Sequence, residues 1–425
     1  MALESVVRVD SASIKYGFGA TREVGFDLKE LGVTRVMVVT DRNLAEEEPV
    51  KTTMRALKDA GLQTVLYSNT RIEPTDVSLK DAIDFAIRGN FDGFVGVGGG
   101  SSMDTAKVAN LYSTYPADFL TYVNAPIGKG TPVPGPLKPL IAIPTTAGTG
   151  SETTGVAIFD LVEMHAKTGI AHRFLRPTIG IVDPDNTQTL PRTVAACTGF
   201  DVLAHALESF TAIPYKQRQA PETPRLRPAY QGSNPLSDVW AAKAIEIVGN
   251  NIVRVVEDPT NAEARHQMII AATFAGISFG NAGTHLCHGM SYPVSGMVRS
   301  YIPEGYPVDH PIIPHGMAVI LVAPAVFRFT ASASPEKHLE AARLAGVDTA
   351  NTQIEDAGDI LASTIVSLMK ETGMPNGLSA VGFTAEDVDK LVEGTLPQQR
   401  VTRLSPRPFT PEDLKKIFLD SLTCW

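Results

Sequence analysis

The feature that most constrains the fold of this chain is a regular alternation of short apolar β-rich runs and helical stretches in its first half. The apolar runs cover residues 35–40, 63–68, 93–97, 140–144 and 178–183. Between the first two runs, Met54, Leu57 and Ala60 recur at helical spacing before a terminating glycine. Alternation of this kind predicts a parallel sheet with helices on its faces.

The second half of the chain is predicted to be mostly helical, because long helical patterns replace the strands after Pro191. These patterns cover residues 192–211, 238–256, 262–279, 356–372 and 411–422. A chain of 425 residues is long enough for two ordinary domains. We therefore predict an α/β nucleotide-binding domain in residues 1–190 and an all-helical metal-binding catalytic domain in residues 191–425.

Charge and composition exclude several classes of partner. The net charge is -9 and the basic residues are scattered, which disfavours nucleic acid and anionic membranes. We find no apolar run long enough to cross a bilayer and expect no membrane partner. The first residues show neither a secretory nor a transit pattern, so we expect a cytoplasmic protein. Three widely spaced cysteines predict reduced thiols, and a homodimer is the default assembly.

A glycine run between a strand and a helix is the first sign of nucleotide binding. The run and the start of the helix contain Gly98, Gly99, Gly100, Ser101 and Asp104. Glycines let the backbone approach a diphosphate, while free amides and the helix dipole face its charge. The run is not the Gly-x-Gly-x-x-Gly fingerprint, so a simple tight turn is the alternative interpretation.

Two further segments strengthen the nucleotide hypothesis. The segment after the next strand offers hydroxyls from Thr145, Thr146, Thr149 and Thr154. Asp41 ends the first strand, where a carboxylate can accept hydrogen bonds from ribose hydroxyls and repel a 2'-phosphate. This favours NAD over NADP, and a plain turn aspartate is the alternative interpretation of Asp41.

A carboxylate and a histidine four residues apart indicate a metal site in the second half. On a helix, Asp201 and His205 lie on one face. His288 and His315, both followed by glycine, can complete a set of one carboxylate and three imidazoles for a divalent metal such as Fe(2+) or Zn(2+).

Each proposed metal ligand also has a purely structural interpretation. His205 can be a hydrogen-bonded helix histidine, Asp201 a helix N-cap and His315 a turn residue, although all of these together would be a large coincidence. The main competing ligand is His285, three residues before His288. The weaker competitors are His165, His172 and His310.

Several stretches together resemble the iron-containing (group III) alcohol dehydrogenase family over essentially the whole chain. They are residues 98–104, 144–152, 201–208, 280–288 and 314–316. The resemblance implies a dehydroquinate synthase-like fold, with a dinucleotide-binding α/β domain and an all-helical metal domain. Carried over position by position, it implies that Asp201, His205, His288 and His315 are the metal ligands, and it leaves His285 out.

One departure from the family pattern indicates a particular branch of the family and therefore a particular reaction. Tyr292 stands where many family members carry a second histidine, four residues after the His288-type ligand. Together with residues 227–235, 281–293 and 394–402, it resembles the hydroxyacid-oxoacid transhydrogenase branch. That branch implies oxidation of 4-hydroxybutyrate to succinate semialdehyde and reduction of 2-oxoglutarate to 2-hydroxyglutarate, while NAD stays bound as the hydride carrier.

The sequence suggests three residues that act on the substrate. Tyr292 either relays a proton, which requires a phenol pKa lowered from about 10, or shapes the pocket. Both substrates are carboxylates, so a cation should anchor them. Arg299 and Lys167 are the candidates, and Lys167 also matches a family position near the cofactor, which makes NAD its alternative partner.

Three rival functions stay open at this point. The nearest is an ordinary NAD-dependent alcohol or hydroxyacid dehydrogenase that releases NADH in each turnover. A dehydroquinate synthase-like lyase is disfavoured by the segment 144–152, and a catalytically inactive NAD-binding sensor is disfavoured by the intact ligand set.

Overall fold

The computed structural model describes residues 2–164 and 166–425, which form two compact units. One unit is Ser11–Leu190, and the other combines residues 2–10 with Pro191–Trp425. The first is built on a parallel sheet and the second on helices, which confirms the predicted fold class.

The N-terminal residues 2–10 depart from the predicted domain assignment, because they lie with the helical unit. The Glu4 amide donates a hydrogen bond to the Arg218 carbonyl, and the Asp10 amide donates one to the Asn281 side chain at 2.8 Å. These partners are more than 200 residues away in the chain. Local sequence patterns therefore carry no sign of the pairing.

The sheet unit contains a six-stranded parallel sheet and a separate antiparallel pair. Its strands are β1 (Ser13–Tyr16), β2 (Arg35–Asp41), β3 (Gln63–Thr70), β4 (Gly93–Gly98), β5 (Leu140–Pro144), β6 (Val156–Leu161), β7 (Ala166–Ala171) and β8 (Ile179–Val182). The strand order is β1-β8-β5-β4-β2-β3, and β6 pairs with β7. Strand β1 and the β6–β7 pair are additions to the five predicted strands.

Helices cover both faces of this sheet. They are α1 (Val24–Glu30), α2 (Glu48–Asp59), α3 (Asp76–Gly89) and α4 (Gly100–Thr114). Val36 and Val38 belong to the core that includes α1 and α2, whereas Met37 and Val39 belong to the core that includes α3 and α4. This division follows from the alternation of side chains along a strand.

The order of the strands reverses at β2 and β4. The chain runs from β2 outward to β3 and then returns to form β4 on the other side of β2. Open parallel sheets bind ligands at the carboxyl ends of the strands beside such a switch point. Asp41 and the glycine run that begins at Gly98 both lie at this edge.

The helical unit is arranged around one buried helix. Its helices are α5 (Arg192–Thr211), α6 (Pro235–Glu257), α7 (Ala262–Ala282), α8 (Leu286–Gly296), α9 (His315–Thr330), α10 (Pro335–Leu344), α11 (Ala357–Thr372), α12 (Val388–Thr395), α13 (Gln399–Thr402) and α14 (Pro411–Asp420). Helix α5 packs against α6, α7 and α9, and its residues 199–211 are all buried.

One stretch corrects the expectation that no apolar run is long enough to cross a bilayer. His315–Ala333 has the length and the composition of a membrane span, with a mean hydropathy of 1.6. However, 78% of it is buried inside the protein. Burial against other helices explains the apolar composition, as in the core helix of a globular domain.

Candidate metal centre and nucleotide segments

Helix α5 presents the first two candidate metal ligands on one face. Asp201 and His205 are separated by one helical turn, and the Asp201 Oδ1 atom lies 3.6 Å from the His205 Nδ1 atom. Both residues are buried. The predicted four-residue spacing therefore brings these side chains together.

Two other helices bring the remaining candidate ligands to the same place. His288 lies on α8, and its Nε2 atom is 3.6 Å from Asp201 Oδ1. His315 is the first residue of α9, and its Nε2 atom is 3.7 Å from the same oxygen. The His205 and His288 rings stack with their centroids 4.4 Å apart. Asp201, His288 and His315 thus present ligand atoms that all lie within 4.8 Å of one another, and His205 joins them through its contact with Asp201.

A glycine allows α9 to begin directly against α5. A Cβ atom on Gly316 would lie 2.0 Å from the Cys197 carbonyl oxygen and 2.9 Å from the Asp201 Cβ atom. Any larger residue would push the start of α9 away from α5. The His315-Gly316 pair therefore serves the geometry of the cluster as well as its chemistry.

The cluster fits a divalent metal ion. Asp201 Oδ1, His205 Nδ1 and His288 Nε2 are buried and have no hydrogen-bond partner among the described residues. Their separations of 3.6 Å are too long for hydrogen bonds. Ligand atoms about 2.1 Å from a tetrahedral ion lie about 3.4 Å from each other. One carboxylate and three imidazoles suit Fe(2+) or Zn(2+).

Two of the ligands have the ionisation that metal binding requires. Burial raises the pKa of Asp201, but the imidazoles of His205 and His315 outweigh this effect and hold it below its usual range. Burial lowers the pKa of His205 to about 3 against the opposing effect of Asp201. The carboxylate is therefore ionised and the His205 imidazole neutral, as metal binding requires. At His288, the effect of burial is outweighed by Glu208 and Asp201, which raise the pKa to about 9, so this imidazole has to lose a proton when a metal binds.

A buried glutamate orients His288. Glu208 accepts hydrogen bonds from the His285 amide at 3.0 Å and the Cys287 amide at 2.7 Å, and it contacts the His288 Nδ1 atom. This contact directs the His288 Nε2 atom towards Asp201, as a supporting carboxylate does for a metal-bound histidine. In the sequence, Glu208 stands out only as part of a stretch that resembles the family. Its position seven residues after Asp201, on the same helix face, was the available signal.

The competing histidines are occupied elsewhere. His285 shares a hydrogen bond with the Thr211 hydroxyl through Nε2, and its Nδ1 atom accepts one from the Leu286 amide. His310 pairs with its neighbouring aspartate, and His172 accepts a hydrogen bond within a turn of the sheet unit. His165 lies outside the described residues.

Tyr292 lies beside the cluster together with an arginine that the sequence analysis missed. Tyr292 is one turn after His288 on α8, and its ring centroid is 6.3 Å from that of His315. Its hydroxyl accepts a hydrogen bond from Arg400 Nη2 at 3.0 Å. Arg400 falls within the branch-like stretch 394–402, so a cation in that stretch was the signal that could have revealed it.

Arg299 is held elsewhere and does not join the cluster. Its guanidinium pairs with the Asp387 carboxylate and donates to the Gly382 carbonyl at 3.0 Å. More than half of its side chain is exposed. Among the described residues, no ion pair or hydrogen bond links Arg299 to a metal ligand.

The structure brings the two predicted nucleotide segments together. The Thr145 amide donates a hydrogen bond to the Gly98 carbonyl at 3.0 Å. Gly98 has a φ of 148°, and a Cβ atom on Gly100 would lie 2.5 Å from the Thr149 side chain. Gly99, the N-cap of α4, lies beside Thr146, where a Cβ atom would make an ordinary contact at 3.4 Å. Because Gly98 and Gly100 have no side chain, the two backbone segments can lie close together.

Several other predicted cofactor residues support the scaffold of the sheet unit. Asp104 accepts hydrogen bonds from Ser151 and from the Ile158 amide, and it pairs with buried Lys107. Thr154 lies 3.5 Å from the same ammonium group. These contacts fix the second segment on α4, so the residues act on the shape of the site.

Three more predicted residues have visible partners in the sheet unit. Ser101 accepts a hydrogen bond from the Glu73 amide at 3.2 Å. The buried Lys167 ammonium pairs with Glu73 at 2.6 Å and with Asp160 at 3.2 Å. Asp41 accepts from the Asn43 amide at 2.9 Å, which is the contact of a turn aspartate. Roles for these residues at NAD stay predictions.

Comparison with known proteins identifies both halves of the chain. Residues 11–184 match the model of iron-containing alcohol dehydrogenase, and residues 229–422 match that of the Fe-containing alcohol dehydrogenase family, C-terminal. The mitochondrial hydroxyacid-oxoacid transhydrogenase of Xenopus laevis is 55% identical over 413 residues, which cover 97% of this chain and 89% of the relative.

Two solved structures share the fold. A 1,3-propanediol oxidoreductase has a TM-score of 0.86 at 26% identity and covers 98% of this chain and 100% of its own. A sulfoacetaldehyde reductase from Bifidobacterium kashiwanohense in complex with NAD+ has a TM-score of 0.79 at 26% identity, with 99% and 98% covered.

The relatives correct one expectation and establish the family. The expected cytoplasmic location is wrong, because relatives 53–55% identical to the chain are named as mitochondrial proteins. The lack of a recognisable targeting pattern in the first residues therefore does not establish the cellular location. The family implies a divalent metal, for which the cluster of Asp201, His288 and His315 offers ligand atoms. The chain belongs to the iron-containing alcohol dehydrogenase family and is an oxidoreductase.

Proposed function

We propose that this chain is a metal-dependent hydroxyacid-oxoacid transhydrogenase. It oxidises 4-hydroxybutyrate to succinate semialdehyde and reduces 2-oxoglutarate to 2-hydroxyglutarate, with bound NAD as the hydride carrier. The observation that carries the chemistry is the convergence of three imidazoles on a buried carboxylate, each with a ring nitrogen 3.6–3.7 Å from Asp201 Oδ1. The transhydrogenase relatives support this choice of reaction within the family.

The ligand set would hold Fe(2+) or Zn(2+) through Asp201, His205, His288 and His315. A bound divalent metal supplies Lewis acidity, which lowers the pKa of a substrate hydroxyl and polarises a keto oxygen. Glu208 keeps His288 in one orientation, and burial keeps the His205 imidazole neutral. The protein therefore contributes ligands that are already held close together, and metal loading requires His288 to release a proton.

The sheet unit would hold NAD at the carboxyl edge of β2, β4 and β5. Gly98 and Gly100 let the strand end and the segment around Thr149 lie close to the N-terminus of α4, where backbone amides and the helix dipole would favour a diphosphate. Asp41 would accept hydrogen bonds from the ribose and disfavour NADP. The NAD+ complex of the sulfoacetaldehyde reductase supports this cofactor.

The two half-reactions balance without release of NADH. In the first, 4-hydroxybutyrate loses a hydride from its carbinol carbon and a proton from its hydroxyl and becomes an aldehyde. In the second, 2-oxoglutarate gains a hydride at its keto carbon and a proton at the keto oxygen. Bound NAD would supply the hydride acceptor and donor for the two reactions. The substrates therefore use the site in turn, with the reduced cofactor kept on the protein between them.

The decisive test is to incubate the metal-loaded protein with both substrates and no added NAD. We expect both products to accumulate, and initial rates to give the parallel lines of a ping-pong mechanism. Deuterium at C4 of 4-hydroxybutyrate should appear at C2 of 2-hydroxyglutarate without dilution by unlabelled NADH. Strict dependence on free NAD, or extensive dilution of the label, would instead identify an ordinary dehydrogenase.

The assembly expected for this enzyme is a homodimer, because two-fold dimers are the commonest symmetric oligomers. Light scattering of the purified protein checks this directly. A monomeric mass would contradict it without affecting the proposed reaction.

A further inference from the structure

We propose that Arg400 binds the substrate carboxylate in both half-reactions. The inference rests on the proposed function, because that function supplies two substrates that share a distal carboxylate. It assigns to a residue of α13 the role that the sequence analysis gave to Arg299 or Lys167.

Close packing holds Arg400 against Tyr292, which in turn lies beside the metal ligand His315. A Cβ atom on Gly289 would lie 2.4 Å from the Thr402 side chain, and one on Gly394 would lie 2.6 Å from the Pro293 side chain. These two glycines therefore let the segment 394–402 lie directly on α8. At that position, Arg400 Nη2 donates to the hydroxyl of Tyr292, the residue next to His315.

The Arg400 guanidinium has one donor group that can still bind an anion. Its Nη1 atom is buried and has no hydrogen-bond partner among the described residues. No carboxylate in the described part of the chain forms an ion pair with Arg400. Its other neighbour is Tyr230, whose ring centroid lies 5.1 Å from the guanidinium carbon and whose side chain also interacts with the guanidinium. A buried cation without a counter-ion is costly, so the site is complete only when an anion binds.

The other candidate cations lack this capacity. Arg299 is paired with Asp387 at the surface, and buried Lys167 is paired with Glu73 and Asp160. A carboxylate would have to displace existing ion pairs at either residue. Arg400 can add a carboxylate and keep its contact with Tyr292, because Nη1 and Nη2 are separate donors.

The chemistry of the two substrates matches a single cation. In 4-hydroxybutyrate, two methylene groups separate the carbinol carbon from the carboxylate. In 2-oxoglutarate, two methylene groups separate the keto carbon from the distal carboxylate. If both reacting oxygens are held at the same place, both distal carboxylates reach the same distance. One guanidinium can then bind them in turn, as the exchange of substrates requires.

The test compares Arg400→Gln with Arg403→Gln, a nearby exposed arginine whose visible partner is Gln399. Reduction of bound NAD in a single turnover is measured with 4-hydroxybutyrate and with 1-butanol, which lacks the carboxylate. We expect Arg400→Gln to lower the ratio of the two second-order rates by about 100-fold, the usual loss for a buried charge-assisted contact. Arg403→Gln should leave the ratio unchanged.

An equilibrium measurement separates this inference from the proposed function. Glutarate has the same carboxylate spacing and cannot react, so its calorimetric dissociation constant needs no hydride transfer. We expect it to rise about 100-fold in Arg400→Gln, with metal content unchanged, and Arg400→Lys to recover part of the affinity. If wild type fails to exchange hydride between the substrates, the proposed function fails while glutarate binding still reports on Arg400.

Three results would overturn the inference. The first is unchanged glutarate affinity in Arg400→Gln. The second is an equal loss with 1-butanol and 4-hydroxybutyrate, which would make Arg400 only a positioning residue for Tyr292. The third is loss of glutarate binding in Arg299→Gln with binding retained in Arg400→Lys and Arg400→Gln. Should Arg400→Gln fail to fold, the ratio and the affinity in Arg400→Lys decide the question.

Discussion

The metal cluster of the helical unit and the buried lysines of the sheet unit differ in whether their buried polar atoms have hydrogen-bond partners. Asp201, His205 and His288 each bury an atom that has no hydrogen-bond partner among the described residues. Lys107, in contrast, is fully buried and donates to Asp104, Ser151 and the Val156 carbonyl. Buried polar groups are normally hydrogen-bonded.

This difference distinguishes a ligand site from a scaffold. A buried group without a partner costs free energy, so a cluster of such groups persists where a ligand repays the cost. A fully bonded buried group stabilises the fold and has little capacity left for a ligand. By this criterion Arg400 belongs with the metal cluster, whereas Lys107 and Lys167 belong to the scaffold.

The largest expected effect is loss of metal and activity in His288→Ala. Removal of one of four converging ligands should reduce metal content to background and transhydrogenation by more than about 1,000-fold, because the metal contributes several kcal/mol to the reaction. Elemental analysis and product formation measure the two quantities. NAD binding by the sheet unit should survive.

His285→Ala is the matched control for this prediction. Both ring nitrogens of His285 have protein partners, so the variant should keep its metal. Full metal occupancy in His288→Ala together with loss of metal in His285→Ala would show that His285, and not His288, is the metal ligand.

The second prediction concerns the scaffold of the sheet unit. Lys107→Met should lower the free energy of unfolding by about 3 kcal/mol, because it leaves the Asp104 carboxylate without its buried partner. Chemical denaturation measures this, and metal content should not change. Lys80→Met removes an exposed pair with Asp76 and should cost less than about 1 kcal/mol. Equal losses of unfolding free energy in the two variants would show that the buried Lys107 contributes no more to stability than the exposed Lys80.

The third prediction tests the support of the metal cluster. Glu208→Gln should weaken metal affinity or activity by about 10–100-fold, the usual effect of losing a carboxylate behind a metal-bound histidine. Competition with a chelator gives the metal affinity. An unchanged affinity with normal activity would show that the contact between Glu208 and His288 is structural only.

The smallest expected effect is at the cofactor edge of the sheet unit. Asp41→Gly should improve the relative use of NADP by about tenfold, because the carboxylate no longer repels a 2'-phosphate. Titration of both cofactors, followed by quenching of protein fluorescence, measures the preference. Since Asp41 also bonds to the Asn43 amide, an unchanged preference would leave it a turn residue.

Elements whose apolar residues recur at a regular spacing were predictable from the sequence. The strand Leu140–Pro144 and the helix Arg192–Thr211 coincide with the predicted limits, because their patterns end at Pro or change abruptly. Strand Ser13–Tyr16 escaped prediction, since it is short and half of it is exposed.

By itself, the sequence determined the class of the fold, the family and the four metal-ligand candidates. Residue type, spacing and periodicity are local properties, and they suffice for a strand, a helix or an Asp-x-x-x-His face. The tertiary structure alone decided which charges are free to bind a ligand. Arg299 and Arg400 are the same residue type in the sequence, yet packing pairs one with Asp387 and leaves a donor of the other buried and unused. That choice depends on contacts between residues distant in the chain, so local sequence patterns cannot encode it.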